Sequence, residues 1–207
     1  MNVYEAIYSR RDIRKFRPGP VPEEVLLRIL DAAHHAGSVG FMQPWNFIVI
    51  QELGPRAQVK AIFERENARA AENYSGERQT LYRSLTLEGI LESALNLCVT
   101  CDRTRGGKVL GRNTVLETDL FSTCLAVQNL WLAARAEGVG IGWVSILENT
   151  ELSRILELPE HVIPVAYLTV GYPEESPEKP MLESAGWRSR LPLEELVFYE
   201  RYGRRAR

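Results

Sequence analysis

The run from Thr118 to Glu137 constrains the fold of this chain more than any other stretch. Leu120, Phe121, Cys124, Val127, Leu130, Trp131 and Ala134 recur at helical spacing, yet they cover more than one face of the helix they predict. A helix with a single apolar stripe packs on one layer. This one needs cover on several sides, in the core or at a contact between subunits. Whatever the chain folds into has to be built around it.

The flanking segments supply that cover. Asn2 to Ser9 reads as a short helix with Val3, Ala6 and Ile7 on one face. Pro22, Glu23 and Glu24 open a second helix, with proline in its first turn and acids at its positive end. Val25, Leu26, Ile29, Leu30 and Ala33 form its apolar face, and Gly37 is a stop signal. Pro55 to Tyr74 is helical, Ser75-Gly76 interrupts it, and Glu77 to Ser93 predicts a further helix through Leu81, Leu85 and Ile90. Strands are expected at Phe47 to Ile50, Leu95 to Cys101, Trp143 to Leu147 and Val162 to Val170, with a short helix at Glu151 to Leu156. Residues 173–192 read as an irregular connector, Leu193 to Tyr202 as a short element, and Gly203 to Arg207 as a disordered basic tail. No repeat or linker divides the chain. The expectation is a single α+β domain over 1–207, with about four or five strands packed on long helices. The polar 55–93 region is a helical excursion or lid.

Composition narrows the function. A net charge of -2 gives no footprint for nucleic acid or an acidic membrane surface. No segment approaches the ~20 apolar residues of a spanning helix, and the opening residues lack a basic-then-apolar leader pattern. Three cysteines do not make a disulfide framework, so the expected location is a reducing cytoplasm.

Several motifs resolve into ordinary structure. Cys98-Val99-Thr100-Cys101 lies in a predicted strand, where its two thiols face opposite sides, so a redox pair is not expected. Adjacent His34 and His35 point about 100° apart on a helix, and no set of ligands for a metal emerges. Gly106 to Asn113 imitates a phosphate loop but carries Arg112-Asn113 in place of its Lys-Ser/Thr. Gly138, Gly140 and Gly142 predict a tight turn before a strand, with close approach to a ligand or neighbouring strand. Ser145 reads as a hydrogen-bonded strand serine. The arginines are different. Arg10, Arg11 and Arg14 fall within five residues where a helix ends, and Arg188 and Arg190 form a late pair. Guanidinium forks suit phosphate. If the fold joins the chain ends, five of them serve one phosphate-bearing ligand. The loop Ser38 to Asn46 carries Phe41, Met42, Pro44 and Trp45, so it is expected to pack on protein or on a flat ligand.

Taken together, Arg10-Arg11-x-x-Arg14, Ser38 with Gln43-Pro44-Trp45, the glycines before a strand and Arg188-x-Arg190 resemble the nitroreductase-type flavoprotein superfamily. That resemblance implies a sandwich with an antiparallel-rich mixed sheet between helices, an obligate homodimer, and FMN at its interface. It places Arg10, Arg11, Ile13 and Arg14 on the phosphate and ribityl chain and Arg188 and Arg190 on the phosphate. Ser38, Gln43 and Gly142 lie near the ribityl chain and ring. Two departures, Asp12 where serine is usual and Phe41 where asparagine is usual, match the 5,6-dimethylbenzimidazole synthase branch. So do Cys101 to Gly107, Gln128 to Arg135, Gly142 to Ser145 and Trp187 to Pro192.

For that branch the resemblance implies that reduced FMN is the substrate, with O2 as co-substrate and no metal. The ribityl C1' carbon becomes C2 of the benzimidazole lower ligand of cobalamin, and erythrose 4-phosphate is released. Asp12 and Ser145 are the implied catalytic residues. A carboxylate can accept a proton there, and neighbouring arginines would hold it ionised. A serine hydroxyl can orient a peroxide or a ring nitrogen. Residues 75–92 would shield the reduced flavin as a lid. A separate flavin reductase would supply it. The competing readings are an NAD(P)H-dependent FMN nitro or quinone reductase, and a flavin carrier without chemistry.

Overall fold

The structure, a computed structural model, describes residues 1–107 and 110–205. Its centre is a four-stranded sheet in the order β1-β2-β4-β3. The strands are β1 (Trp45–Ile50), β2 (Leu95–Asp102), β3 (Gly140–Val144) and β4 (Val162–Gly171). All three strand pairs are antiparallel, and a lone parallel bridge from Asp12 to Ile141 supplies the mixed character at the β3 edge.

β2 shows why the sheet is central. Every residue from Leu95 to Cys101 is buried, so both faces are covered. Leu95, Leu97 and Val99 pack with Leu26 and Ile29 of α2 (Glu23–His34) and with Val127, Leu130 and Trp131 of α5 (Thr118–Ala136). Cys98 faces the other layer, with Val59 and Phe63 of α3 (Leu53–Ala71) and Leu152 of α6 (Asn149–Ile155). The two cysteines point opposite ways as expected, and burial pushes the Cys98 thiol up to about 12. Truncating a core leucine such as Leu97 to alanine costs about 2–5 kcal/mol in sites of this kind.

Local signals explain the remaining elements. Asn2 and Glu5 form a reciprocal capping box for α1 (Val3–Ser9). α2 begins after Pro22 and stops at His34, before Gly37. α5 buries Ala126, Val127, Leu130, Trp131 and Ala134, but Phe121 and Leu125 remain 56% and 51% exposed beside the exposed Cys124. Its third apolar face is therefore left uncovered by this chain.

Three expectations are corrected. The helix expected over Glu77 to Ser93 ends early: α4 covers Gly76–Ser84. Beyond it, the buried Arg56 donates to the carbonyls of Ile90, Leu91 and Ser93, holding that segment irregular against the sheet. Gly140 and Gly142 are not a turn but lie inside β3. The reason is close packing: a Cβ on Gly142 would sit 2.2 Å from the Ile13 carbonyl oxygen, and one on Gly140 2.8 Å from Ile13 Cγ1. The C-terminal connector carries a one-turn helix α7 (Met181–Ser184), and the short element after it spans only Leu193–Glu195. The phosphate-loop look-alike includes residues 108 and 109, and the basic tail residues 206 and 207, which lie outside the described residues.

Candidate active site

The arginine stretch lies along the exposed edge of β3. After α1 the backbone turns extended at Arg10, and the Ile13 N–H donates to the Ile141 carbonyl at 2.9 Å. The glycines of β3 make this contact possible. It fixes Asp12, whose Oδ1 accepts the Trp143 N–H at 2.9 Å and whose Oδ2 pairs with Arg14. Arg14 also donates to the Trp143 carbonyl at 2.6 Å. Arg10 stacks over the Trp131 ring, 4.5 Å from its centre. Arg11 Nη1 donates to the carbonyls of Tyr8 and Arg10, and its Nη2 to that of Glu178.

The electrostatics differ from the expectation in one respect. The pKa of Asp12 is raised above the ordinary carboxylate value, not lowered. Burial is the larger cause, and the Arg14 charge and the Trp143 hydrogen bond only partly oppose it. Burial likewise lowers Arg14, against the attraction of Asp12.

Two cavities meet at Asp12. One, of about 470 Å³, is lined by Asp12 and Arg14, by Ser84 to Thr86, and by Lys179, Met181 and Ser184. The second, of about 550 Å³, is lined by Arg10, Arg11, Asp12, Lys179, Met181 and Arg190. The fold thus brings Arg190 of the late pair to the N-terminal stretch, where it shares a cavity with Arg10 and Arg11, whereas Arg188 lines neither cavity. Arg188 is exposed, with its N–H on the Leu182 carbonyl. Arg11 Nε, Arg14 Nε, Arg14 Nη1 and Trp131 Nε1 are buried without a hydrogen-bond partner among the described residues. Such donors are costly to leave unpaired, so they fit an anionic, hydrogen-bonding ligand. The α4 end of the expected lid forms a wall of the first cavity. Arg78 of α4 stacks 3.5 Å over the Trp187 ring and donates to the Trp187 carbonyl, tying α4 to the segment after α7.

Ser145 follows β3, two residues beyond Trp143, and is exposed. It is not the ladder-bonded strand serine expected from its position. Ser38 and Gln43 lie elsewhere, in the loop before β1. The Gln43 N–H donates to Ser38 Oγ at 2.8 Å, and the Val39 N–H to Ser122 Oγ of α5 at 3.1 Å. Phe41 and Gln43 both adopt left-handed backbone, with φ of 53° and 47°. Each such residue costs about 1–3 kcal/mol and persists only where its surroundings fix it. Phe41 is 82% exposed at the loop tip.

One chain does not bring the two groups together. β2 and β4 separate β1 from β3, and at about 4.8 Å per strand spacing the edges are about 14 Å apart. Both groups do rest on α5, the loop at Ser122 and the arginines at Trp131. Nine residues of helix, about 14 Å, divide them, and the bare Phe121, Cys124 and Leu125 lie at the Ser122 end of that stretch.

Sequence reading missed Arg105, which lies in the loop after β2. Its Nη1 donates to the carbonyls of Gln43 at 3.0 Å and Trp45 at 2.8 Å. The Asp102-x-Thr104 spacing, an Asx-turn signature, was the available signal: Asp102 Oδ1 accepts the N–H groups of Thr104 and Arg105. Gly89 was also missed. A Cβ there would lie 2.6 Å from the Arg14 carbonyl oxygen, so this glycine lets the segment after α4 close on the arginine stretch.

Residues 7–172 match the Nitroreductase family. A 5,6-dimethylbenzimidazole synthase of Rhodospirillum rubrum is 44% identical over 184 residues, 88% of this chain and 87% of that protein. One from Rhodobacter capsulatus is 40% identical, covering 92% of each. Among solved structures, oxidized iodotyrosine deiodinase bound to FMN and 3-iodo-L-tyrosine superposes with a TM-score of 0.77 over 97% of this chain and 100% of that one. At 22% identity it shares the fold.

Proposed function

The chain belongs to the nitroreductase family, and from that premise we propose that it is a 5,6-dimethylbenzimidazole synthase, an oxygen-dependent enzyme that consumes reduced FMN and releases erythrose 4-phosphate. The observation that carries the reading is Asp12. A carboxylate stands among Arg10, Arg11 and Arg14, where it weakens the hold on an anionic ligand, and its position therefore calls for a chemical role. Reduced FMN supplies both the electrons for oxygen and the carbon skeleton of the product. The chain's part is to bind, orient and move protons. Arg10, Arg11, Arg14, Arg188 and Arg190 hold the phosphate end, Arg11 and Arg14 through buried donors that have no partner among the described residues, and Ile13 and Gly142 set the backbone close behind. Asp12 accepts a proton, which its raised pKa makes it better able to do near neutral pH. Ser145, at the same sheet edge, orients the reacting centre through its hydroxyl. No metal is assigned a part.

The working unit is a homodimer. Pairing α5 with its copy in antiparallel sense covers Phe121 and Leu125. It also carries the Ser38–Gln43 loop of one subunit to the Trp131 end of the other, completing the site. We place the enzyme in the cytoplasm, where Cys98, Cys101 and Cys124 stay free and a separate flavin reductase can deliver reduced FMN. No described helix is long and apolar enough to cross a membrane.

The test is incubation with reduced FMN in air followed by product analysis. Dimethylbenzimidazole is expected. Steady NAD(P)H oxidation with intact flavin would replace this reading with the reductase one, and flavin unchanged apart from reoxidation would leave only a carrier.

A further inference from the structure

We infer that Arg105 is a positioning residue for the flavin reaction: it locks Gln43 in the backbone conformation that presents the Gln43 amide to the ligand. The inference rests on the reading of the site given above.

Gln43 is held from both sides. Its φ of 47° is one that L residues rarely adopt. Its N–H is taken by Ser38 Oγ and its carbonyl by Arg105 Nη1 at 3.0 Å. The same nitrogen binds the Trp45 carbonyl at 2.8 Å, while Nη2 binds Asn46 Oδ1. The Asp102 N–H takes the Pro44 carbonyl at 2.8 Å. Three successive carbonyls, of Gln43, Pro44 and Trp45, are therefore fixed from the last residue of β2 and the turn after it. Arg105 is itself aimed by that turn, because Asp102 Oδ1 accepts its N–H at 3.1 Å. The Gln43 side chain makes only a long bond to the Phe41 carbonyl, at 3.4 Å, among the described residues. Its amide thus retains capacity to bind a ligand. A planar fork spans the acceptors as a lysine ammonium cannot.

The experiment is a double-mutant cycle on FMN affinity, using Arg105→Lys, Gln43→Gly and the pair, in the full-length protein. Glycine tolerates the left-handed φ and removes the amide, so it needs no lock. Arg105→Lys should weaken FMN about tenfold, as for loss of a charged hydrogen bond. It should cost nothing further once Gln43 is glycine, because the two act as one unit. Arg105→Gln, which keeps a single donor for these carbonyls, should weaken FMN in the same Gln43-dependent way and serves if Arg105→Lys melts without cooperativity. Additive losses, or wild-type affinity in Arg105→Lys, would overturn the inference while wild type still binds and consumes FMN. Wild type that binds no FMN would overturn the functional reading, and the inference with it.

Discussion

Asp12 and Trp143 are joined by a 2.9 Å hydrogen bond from the Trp143 N–H to Asp12 Oδ1, so the proposed proton acceptor is fixed to the edge strand of the sheet. Ser145 follows two residues later. Asp12 is thus held beside the end of β3, and Ser145 lies just past that end.

Asp12→Asn retains an acceptor for the Trp143 N–H and removes the base. FMN should bind at least as tightly, and reduced FMN should return to oxidised FMN with product formation slowed about 10²–10⁴-fold. Ser145→Ala should likewise keep FMN affinity and slow product formation. Single-turnover product analysis checks both, and wild-type rates would remove the assigned roles.

The same residue predicts a pH dependence of stability in the flavin-free protein. A carboxyl whose pKa is raised on folding binds its proton more tightly in the folded state, so its contribution to stability falls as pH rises. The fall begins near the ordinary value of 3.8 and levels off above the raised one. Thermal melts against pH should show Asp12→Asn gaining on wild type across that window and holding its gain above it. A gain that shrinks with rising pH would mean that the Arg14 pairing outweighs burial.

Arg190 is exposed at a cavity it shares with Arg10 and Arg11. Arg190→Ala and Arg14→Ala should each weaken FMN binding by about 1.5–3 kcal/mol, tenfold or more. Fluorescence titration measures this. Wild-type affinity in both variants would contradict a shared phosphate site.

The bare stripe on α5 predicts association that protects a thiol. Cys124 lies exposed beside Phe121 and Leu125, whereas Cys98 and Cys101 are buried. A thiol reagent should leave Cys98 and Cys101 unreacted in the native protein. It should modify Cys124 more slowly as protein concentration rises, in step with dimer formation by sedimentation. A concentration-independent rate with a monomer by sedimentation would contradict the dimer.

Much of this was legible in the sequence because it is local. The over-apolar pattern of 118–137 announced a helix needing more cover than one chain offers, and the alternation of 95–101 announced a strand covered on both faces. What failed was long-range. Gly140 and Gly142 look like a turn until Ile13 is placed against them. Ser145 looks like a ladder residue until β3 is seen to end at Val144. Asp12 looks as though its arginines must depress its pKa until burial is counted. The segment after α4 keeps a helical pattern, but the Arg56 fork claims its carbonyls. Sequence similarity united the arginines with the Ser38–Gln43 loop, but only the strand order shows that they occupy opposite edges.

The central claim is that this chain takes FMN apart and does not merely use it. Reduced FMN labelled with carbon-13 at the ribityl C1' position, turned over once in air, tests it most directly. The label should appear at C2 of 5,6-dimethylbenzimidazole, with one equivalent of erythrose 4-phosphate per flavin lost. Label recovered entirely in intact FMN would contradict it.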